Sequence, residues 1–338
     1  MSVMSADPAR THRAPEDPGR PHRTRRWVLA GLGVLGGGAL VRTADINGLG
    51  ARVPVSPARR VTSAPPTAPS ELRTLGLNPG VVLLGWSPSF DDVGVSEYRI
   101  ERDGVAIGTA AGTAVTFADL ACQPGRSHEY LVVAIDADAS ESPAPQTVTV
   151  AVPTAVVVDD FEAGDAAGWN LSGMEVERDA GLAGGPGLMA RVDGGAAFAQ
   201  VELPEPLTHV ACQVAVRFER REDQAVTVLK LRSTEDTPIA GVFVSPTGKI
   251  GLRNDIAGEN VVGEDEVDTG AWYALGLAID VAVTGGGLSV LLNGRPAARL
   301  EGIGGALGEV PVGFAQVGER GDGKRYTMSF DRFVAWSP

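Results

Sequence analysis

From Leu72 to Trp336 the chain runs in short alternating stretches of apolar and polar residues, broken repeatedly by Gly, Asp, Asn or Pro. No stretch holds apolar residues at helical spacing for longer than a turn. Buried surface must therefore come from strands whose side chains point alternately in and out. That predicts an all-β chain. The 44 glycines and 5% aromatics fit many short strands joined by tight turns. With 338 residues, two domains can each bury a core of their own.

Charge is distributed unevenly. Residues 1–60 hold 10 Lys and Arg against 4 Asp and Glu, a net +6, while the other 278 carry 19 against 38, a net −19. An acidic body argues against nucleic acid or an anionic membrane as partner, since binding phosphate needs clustered basic surface. Cys122 and Cys212 fall in different expected domains, so no disulfide framework follows from them.

Residues 1–26 are polar and end in Thr24-Arg25-Arg26, followed by Trp27-Val28-Leu29 and a weakly apolar run to Val41. This resembles a twin-arginine export signal, which implies an extracellular or cell-surface protein. The competing reading is a plain signal anchor, although 15 residues fall short of the roughly 20 that span a bilayer. No small-x-small site closes the run. Gly31, Gly33 and Gly36 match G-x-G-x-x-G but lack the strand, helix and acidic partner that a dinucleotide site requires. Residues 1–44 are read as the export segment, and 45–65 as a Pro-rich, extended linker.

Within 66–153, the segment WSPSFDDVGVSEYRIERDGVAIG (86–108) gives a strand, a polar loop and two strands about an Asp103-Gly104 turn. The segment LACQPGRSHEYLVVAID (120–136) is a Pro-Gly turn feeding a long alternating strand. The region resembles a fibronectin type III module, an immunoglobulin-like sandwich that implies a spacer rather than chemistry. Val81 and Leu83 with Trp86 are expected in its second strand, the indole filling the space between sheets. Tyr98 and Ile100 face the same core, as do His128, Tyr130, Val132 and Ala134. His128 takes the place of the family's corner tyrosine and is read as a hydrogen-bonded corner residue. Asp91-Asp92 is read as a solvated turn.

Residues 154–338 contain about ten further alternating runs, among them His209–Phe218, Val226–Ser233, Lys249–Asn254 and Trp272–Val281. Thr269-Gly270-Ala271-Trp272 leads through a Gly-rich turn to Leu288–Leu292 and Asn293-Gly294, where the Asn-Gly pair suits a type I′ hairpin turn. This resembles the laminin-G and concanavalin-A-like lectin/glucanase superfamily. The resemblance implies a larger antiparallel jelly-roll sandwich of the kind appended to secreted polysaccharide-acting proteins. The Pro153-Thr154 joint is short enough to restrict motion.

No G-x-S-x-G, H-E-x-x-H or C-x-x-C is present, and only His128 and His209 lie beyond the leader, so no catalytic residue is assigned. Glu264-Asp265-Glu266-Val267-Asp268 is the nearest match to the alternating carboxylates of sandwich glucanases. It is read as a solvated loop. Arg217, Arg232 and Arg253 are the candidate carbohydrate-binding residues, able to clamp uronate or sulfate groups if they share the concave sheet. An ordinary hydrated face is the competing reading. Cys212 belongs among buried aliphatics, and Trp169, Tyr273 and Trp336 are expected in the core rather than stacked on sugar. Asp160 and Asp331 could meet if the first and last strands pair, holding a structural Ca²⁺; strand-end solvation explains the same residues more cheaply. No other cofactor is expected. The chain is thus read as an exported, monomeric, non-catalytic polysaccharide-binding protein. A glycoside hydrolase or lyase, an accessory module of polysaccharide degradation, and an adhesive surface protein with a protein partner are the alternatives.

Overall fold

The computed structural model describes residues 64–143, 146–281, 286–304, 307 and 310–338. The export-like leader and residues 45–63 lie outside them. The described residues form one compact unit. It is almost entirely β, as the alternation predicts; the one helical element among the described residues is a single 3-10 turn, Leu182–Gly184.

The first seven strands are β1 (Ser70–Asn78), β2 (Val81–Ser87), β3 (Val95–Arg102), β4 (Val105–Ala111), β5 (Thr116–Asp119), β6 (Ser127–Asp136) and β7 (Thr147–Ala151). They make two antiparallel sheets, β1-β2-β5 and β4-β3-β6-β7. Trp86 fills the space between them, buried and edge-on to Tyr98 at 5.3 Å between ring centroids. Ile100, Tyr130, Val132 and Ala134 complete this core.

The β3–β4 turn uses positive φ at Asp103 (52°) and Gly104 (76°), as an Asp-Gly hairpin requires. His128 takes the Gln123 N–H on Nε2 at 3.4 Å and lies 2.6 Å from Asp103 Oδ2 through Nδ1. Nε2 accepts, so Nδ1 carries the proton and donates. The His128 bond and the Glu129 N–H together hold the Asp103 carboxyl below the usual range. Histidine does fasten this corner. Tyr130, two residues on, adds its own tie by donating to Asp119 Oδ2 at 2.8 Å.

Strand β2 departs from expectation by one residue. Val82, Leu84 and Trp86 face the sandwich core, whereas Val81 is fully buried in a separate cluster with Leu120, Ala215 and Ala274. The strand is apolar on both faces because both are covered. Alternation alone cannot fix register in that case, and a one-residue slip exchanges the faces.

The remaining strands are β8 (Val157–Asp159), β9 (Trp169–Ser172), β10 (Met174–Glu177), β11 (Gly187–Asp193), β12 (Ala197–Leu207), β13 (His209–Arg221), β14 (Val226–Ser233) and β15 (Pro238–Val244). They continue as β16 (Lys249–Asn254), β17 (Glu259–Glu266), β18 (Trp272–Asp280), β19 (Gly287–Leu292), β20 (Arg295–Pro296), β21 (Ile303–Gly304), β22 (Val312–Glu319) and β23 (Arg325–Trp336). One sheet, here the docking sheet, has the order β10-β11-β23-β13-β18-β19-β20, with β21 beside β19 and β8 beside β23. The other, the open sheet, runs β17-β16-β15-β14-β22-β12-β9. A large apolar core lies between them and includes Val210, Cys212, Val214, Val216 and Phe218 from β13. Cys212 is a free thiol there, and burial pushes its pKa up. Asn293 and Gly294 hold φ of 49° and 81°, so the β19–β20 turn has the left-handed pair expected of Asn-Gly.

The first sandwich packs on the docking sheet. Gln213, Ala215 and Ala274 face it from β13 and β18, the two alanines small enough for close approach. Asn78 Nδ2 donates to Gln213 Oε1 at 2.7 Å, and the Asn78 Oδ1 takes the Gly80 N–H at 2.9 Å. A Cβ on Gly80 would fall 2.6 Å from Gln213 Nε2 and 2.7 Å from Val334 Cγ2. Likewise a Cβ on Gly294 would fall 2.6 Å from Val81. The outer face of the docking sheet is therefore occupied here, and the open sheet's outer face lies on the other side of the core.

Candidate functional site

Side chains on the outer face of the open sheet come from β12, β14, β15, β16, β17 and β22. A bulge between Thr227 and Leu229 of β14 buries both Val228 and Leu229. It thereby brings Thr227 and Lys230, three residues apart, onto the same outward side. Gly241 and Phe243 follow from β15, Gly251 and Arg253 from β16, and Asn260 from β17. The Phe243 ring fills the space beside Gly251, where a Cβ would sit 2.2 Å from Phe243 Cζ.

These residues line a shallow cleft of about 160 Å³ with Ala225, Thr227, Lys230, Gly241, Val242, Phe243, Arg253, Asn260 and Lys324 around it. Its cations are held from behind. Asp255, whose side chain is 11% exposed, lies 3.0 Å from both Lys230 Nζ and Arg253 Nε. Arg253 Nη1 donates to Asn260 Oδ1 at 3.0 Å. Lys324 pairs with Glu319. Burial works to raise the Glu319 pKa, but bonds from Lys324 and the Gly321 N–H overcome it and leave it lowered.

Beside the cleft, two arginines share one carboxylate. Arg232 Nε donates to Asp236 Oδ1 at 2.5 Å and its Nη1 to Gln316 Oε1 at 3.3 Å. Arg320 Nη1 donates to Asp236 Oδ2 at 2.9 Å, and its guanidinium lies 4.3 Å from the Phe198 ring centroid. Desolvation opposes ionisation of Asp236, but the two arginines prevail and lower its pKa. Replacing Asp236 with Ala is expected to cost about 1–3 kcal/mol in denaturant unfolding. That lies below the loss from a fully buried pair, because the Asp236 side chain is 44% exposed.

The three arginines singled out from sequence do not converge. Arg232 and Arg253 share the open sheet, but Arg217 is on β13 of the docking sheet, 4.9 Å over the Trp272 ring and bonded to Glu219 at 2.6 Å. Between Arg221 and Val226 the chain crosses from one sheet to the other. Alternation keeps count of faces within a strand and loses it at such a crossing. Arg232 is buried and committed to Asp236, so Arg253 alone of the three lines the cleft.

Strands β8 and β23 do pair, Asp159 lying opposite Phe333. Asp160 Oδ1 takes the Glu162 N–H, while Asp331 is buried, accepting from Leu182 N at 2.8 Å and Arg332 N at 2.6 Å. Among the described residues no three His, Cys, Asp or Glu gather as a metal site. Trp169 and Trp336 are buried, and Tyr273 packs against the core. The acidic stretch before Thr269 forms part of β17, the open sheet's edge strand, rather than a loop. Glu264 pairs with Arg299 and Glu266 with Lys249, and neither carboxylate lines the cleft.

No family model matches the chain. Chitinase 63 of Streptomyces plicatus is 34% identical over 85 residues, which are 25% of this chain and 14% of that enzyme. A gellan lyase of a Bacillus species is 33% identical over 79 residues, 23% of this chain and 3% of the lyase. The chain thus spans only a small fraction of these relatives. Among solved structures, Cellulose induced protein, Cip1, aligns with a TM-score of 0.43 at 15% identity, covering 54% of this chain and 97% of that one.

Proposed function

We propose that the protein is an exported, non-catalytic binder of polysaccharide that presents the outer face of the open sheet. In this reading the first sandwich is a fibronectin-type module and the second a concanavalin-A-like jelly roll. The observation that carries it is the cleft around Phe243. One partly exposed aromatic ring lies beside Asn260 and beside Thr227, Lys230, Arg253 and Lys324, which are held by Asp255 and Glu319. Binding sites for small polar ligands combine apolar surface with a few positioned polar groups in this way. The sequence relatives, a chitinase and a gellan lyase by name, are polysaccharide-acting proteins and favour the same ligand class. The twin-arginine-like leader supports an extracellular destination.

Sedimentation of the chain with insoluble polysaccharides, together with a glycan array, tests the reading. Retention on at least one polysaccharide, lost in Phe243→Ala, is the expected result. Absence of binding throughout, or release of sugar ends by the purified chain, would overturn it.

A further inference from the structure

We infer that the open-sheet cleft selects an anionic sugar unit, its carboxylate or sulfate held by Arg253, Lys230 and Lys324 and its ring set against Phe243. This rests on the polysaccharide reading and adds the class of glycan. Three of the nine lining residues are cationic and none is acidic, on a body that carries a net −19 beyond residue 60. A positive lining inside an acidic surface is a local, directed feature. The body's long-range field would repel such a ligand, so attraction has to come from contact.

The charges are also incompletely neutralised. Lys230 and Arg253 share the single carboxylate of Asp255, which leaves one positive charge between them. Arg253 is 42% exposed at its side chain. With Nε on Asp255 and Nη1 on Asn260, its Nη2 is bonded to no protein atom among the described residues. A guanidinium held on two corners and open on the third is oriented before ligand arrives, which lowers the ordering cost of binding an oxyanion. The cleft's volume, about 160 Å³, is below the roughly 300–1,000 Å³ of sites that enclose a drug-sized molecule. It suits one unit of a longer chain.

Affinity electrophoresis of the full chain tests this with matched gels: polygalacturonate against fully methyl-esterified pectin, and dextran sulfate against dextran. Retardation by an acidic member at least tenfold stronger than by its neutral partner is expected, and which pair shows it identifies carboxylate or sulfate. Arg253→Gln and Lys230→Met should each weaken that retardation roughly tenfold, the loss of one charge-assisted bond. Arg253→Lys should recover part of it, and the melting temperature should stay within a few degrees. Equal retardation by acidic and neutral members would overturn the selectivity and leave polysaccharide binding standing. Retardation by none would overturn the anionic selectivity, while the sedimentation and glycan-array result decides the polysaccharide reading separately.

Discussion

Replacing Gly80 with Val is expected to destabilise the described unit by about 2–6 kcal/mol and to split one cooperative unfolding transition into two. Gly80 is not in the left-handed region, so its backbone accepts a side chain and the substitution tests packing alone. Any Cβ there lies 2.6 Å from Gln213 and 2.7 Å from Val334, both nearly fully buried. Overpacking of this kind costs about 1–3 kcal/mol. Moving Gln213 also breaks its bond to Asn78 and strands a buried amide, a further cost of about 1–3 kcal/mol. Calorimetry would show a first sandwich melting apart from the second. A single transition within about 1 kcal/mol of wild type would mean that the two halves do not bear on each other at this point.

The second large effect is on pH. Burial raises the Asp331 carboxyl to about 6, against the pull of the Leu182 and Arg332 N–H groups. The unfolded value lies near 3.8. Between those two values the folded chain holds a proton that the unfolded chain has lost. Asp331 therefore opposes folding above pH 6, and this penalty disappears as pH falls towards 4. A shift of about two units corresponds to roughly 3 kcal/mol. Asp331→Asn removes the titration, so wild type should gain about 2–3 kcal/mol relative to the variant between pH 7 and pH 4. Urea unfolding of both proteins across that range gives the difference. A constant gap would show that the group does not titrate there. Acidification also weakens Asp103, Asp236 and Glu319, whose pKa values are lowered, and the paired comparison cancels them.

What could be read from residues alone follows a physical line. Turns whose geometry only Asn-Gly or Asp-Gly readily adopts were legible, as Asp103-Gly104 and Asn293-Gly294 show. So was the inward face of β13, where five alternating apolar residues leave one choice. Strand β2 was misread by one position because both its faces are apolar. Strand β17 was missed because, at the sheet edge with alternating Glu and Asp, it carries little apolar signal. The cleft was half visible. Arg253 stood out, but Lys230 was hidden by the β14 bulge, which puts it in phase with Thr227. Phe243 and Lys324 could be joined to it only through strand order. Gly241 and Gly251 on adjacent strands next to Phe243 are the residue-level signal for a ring lying over bare backbone.

The meeting of Gly76, Gly80 and Val81 with Gln213, Gly294 and Val334 has a consequence for inheritance. Modules joined by a loose tether can be exchanged between proteins, since neither needs to recognise the other. Here a bulkier residue at position 80 demands a smaller one at 213 or 334, more than a hundred positions away. These two halves can diverge only in concert, and a recombination crossover at Pro153 would yield offspring with mismatched seams.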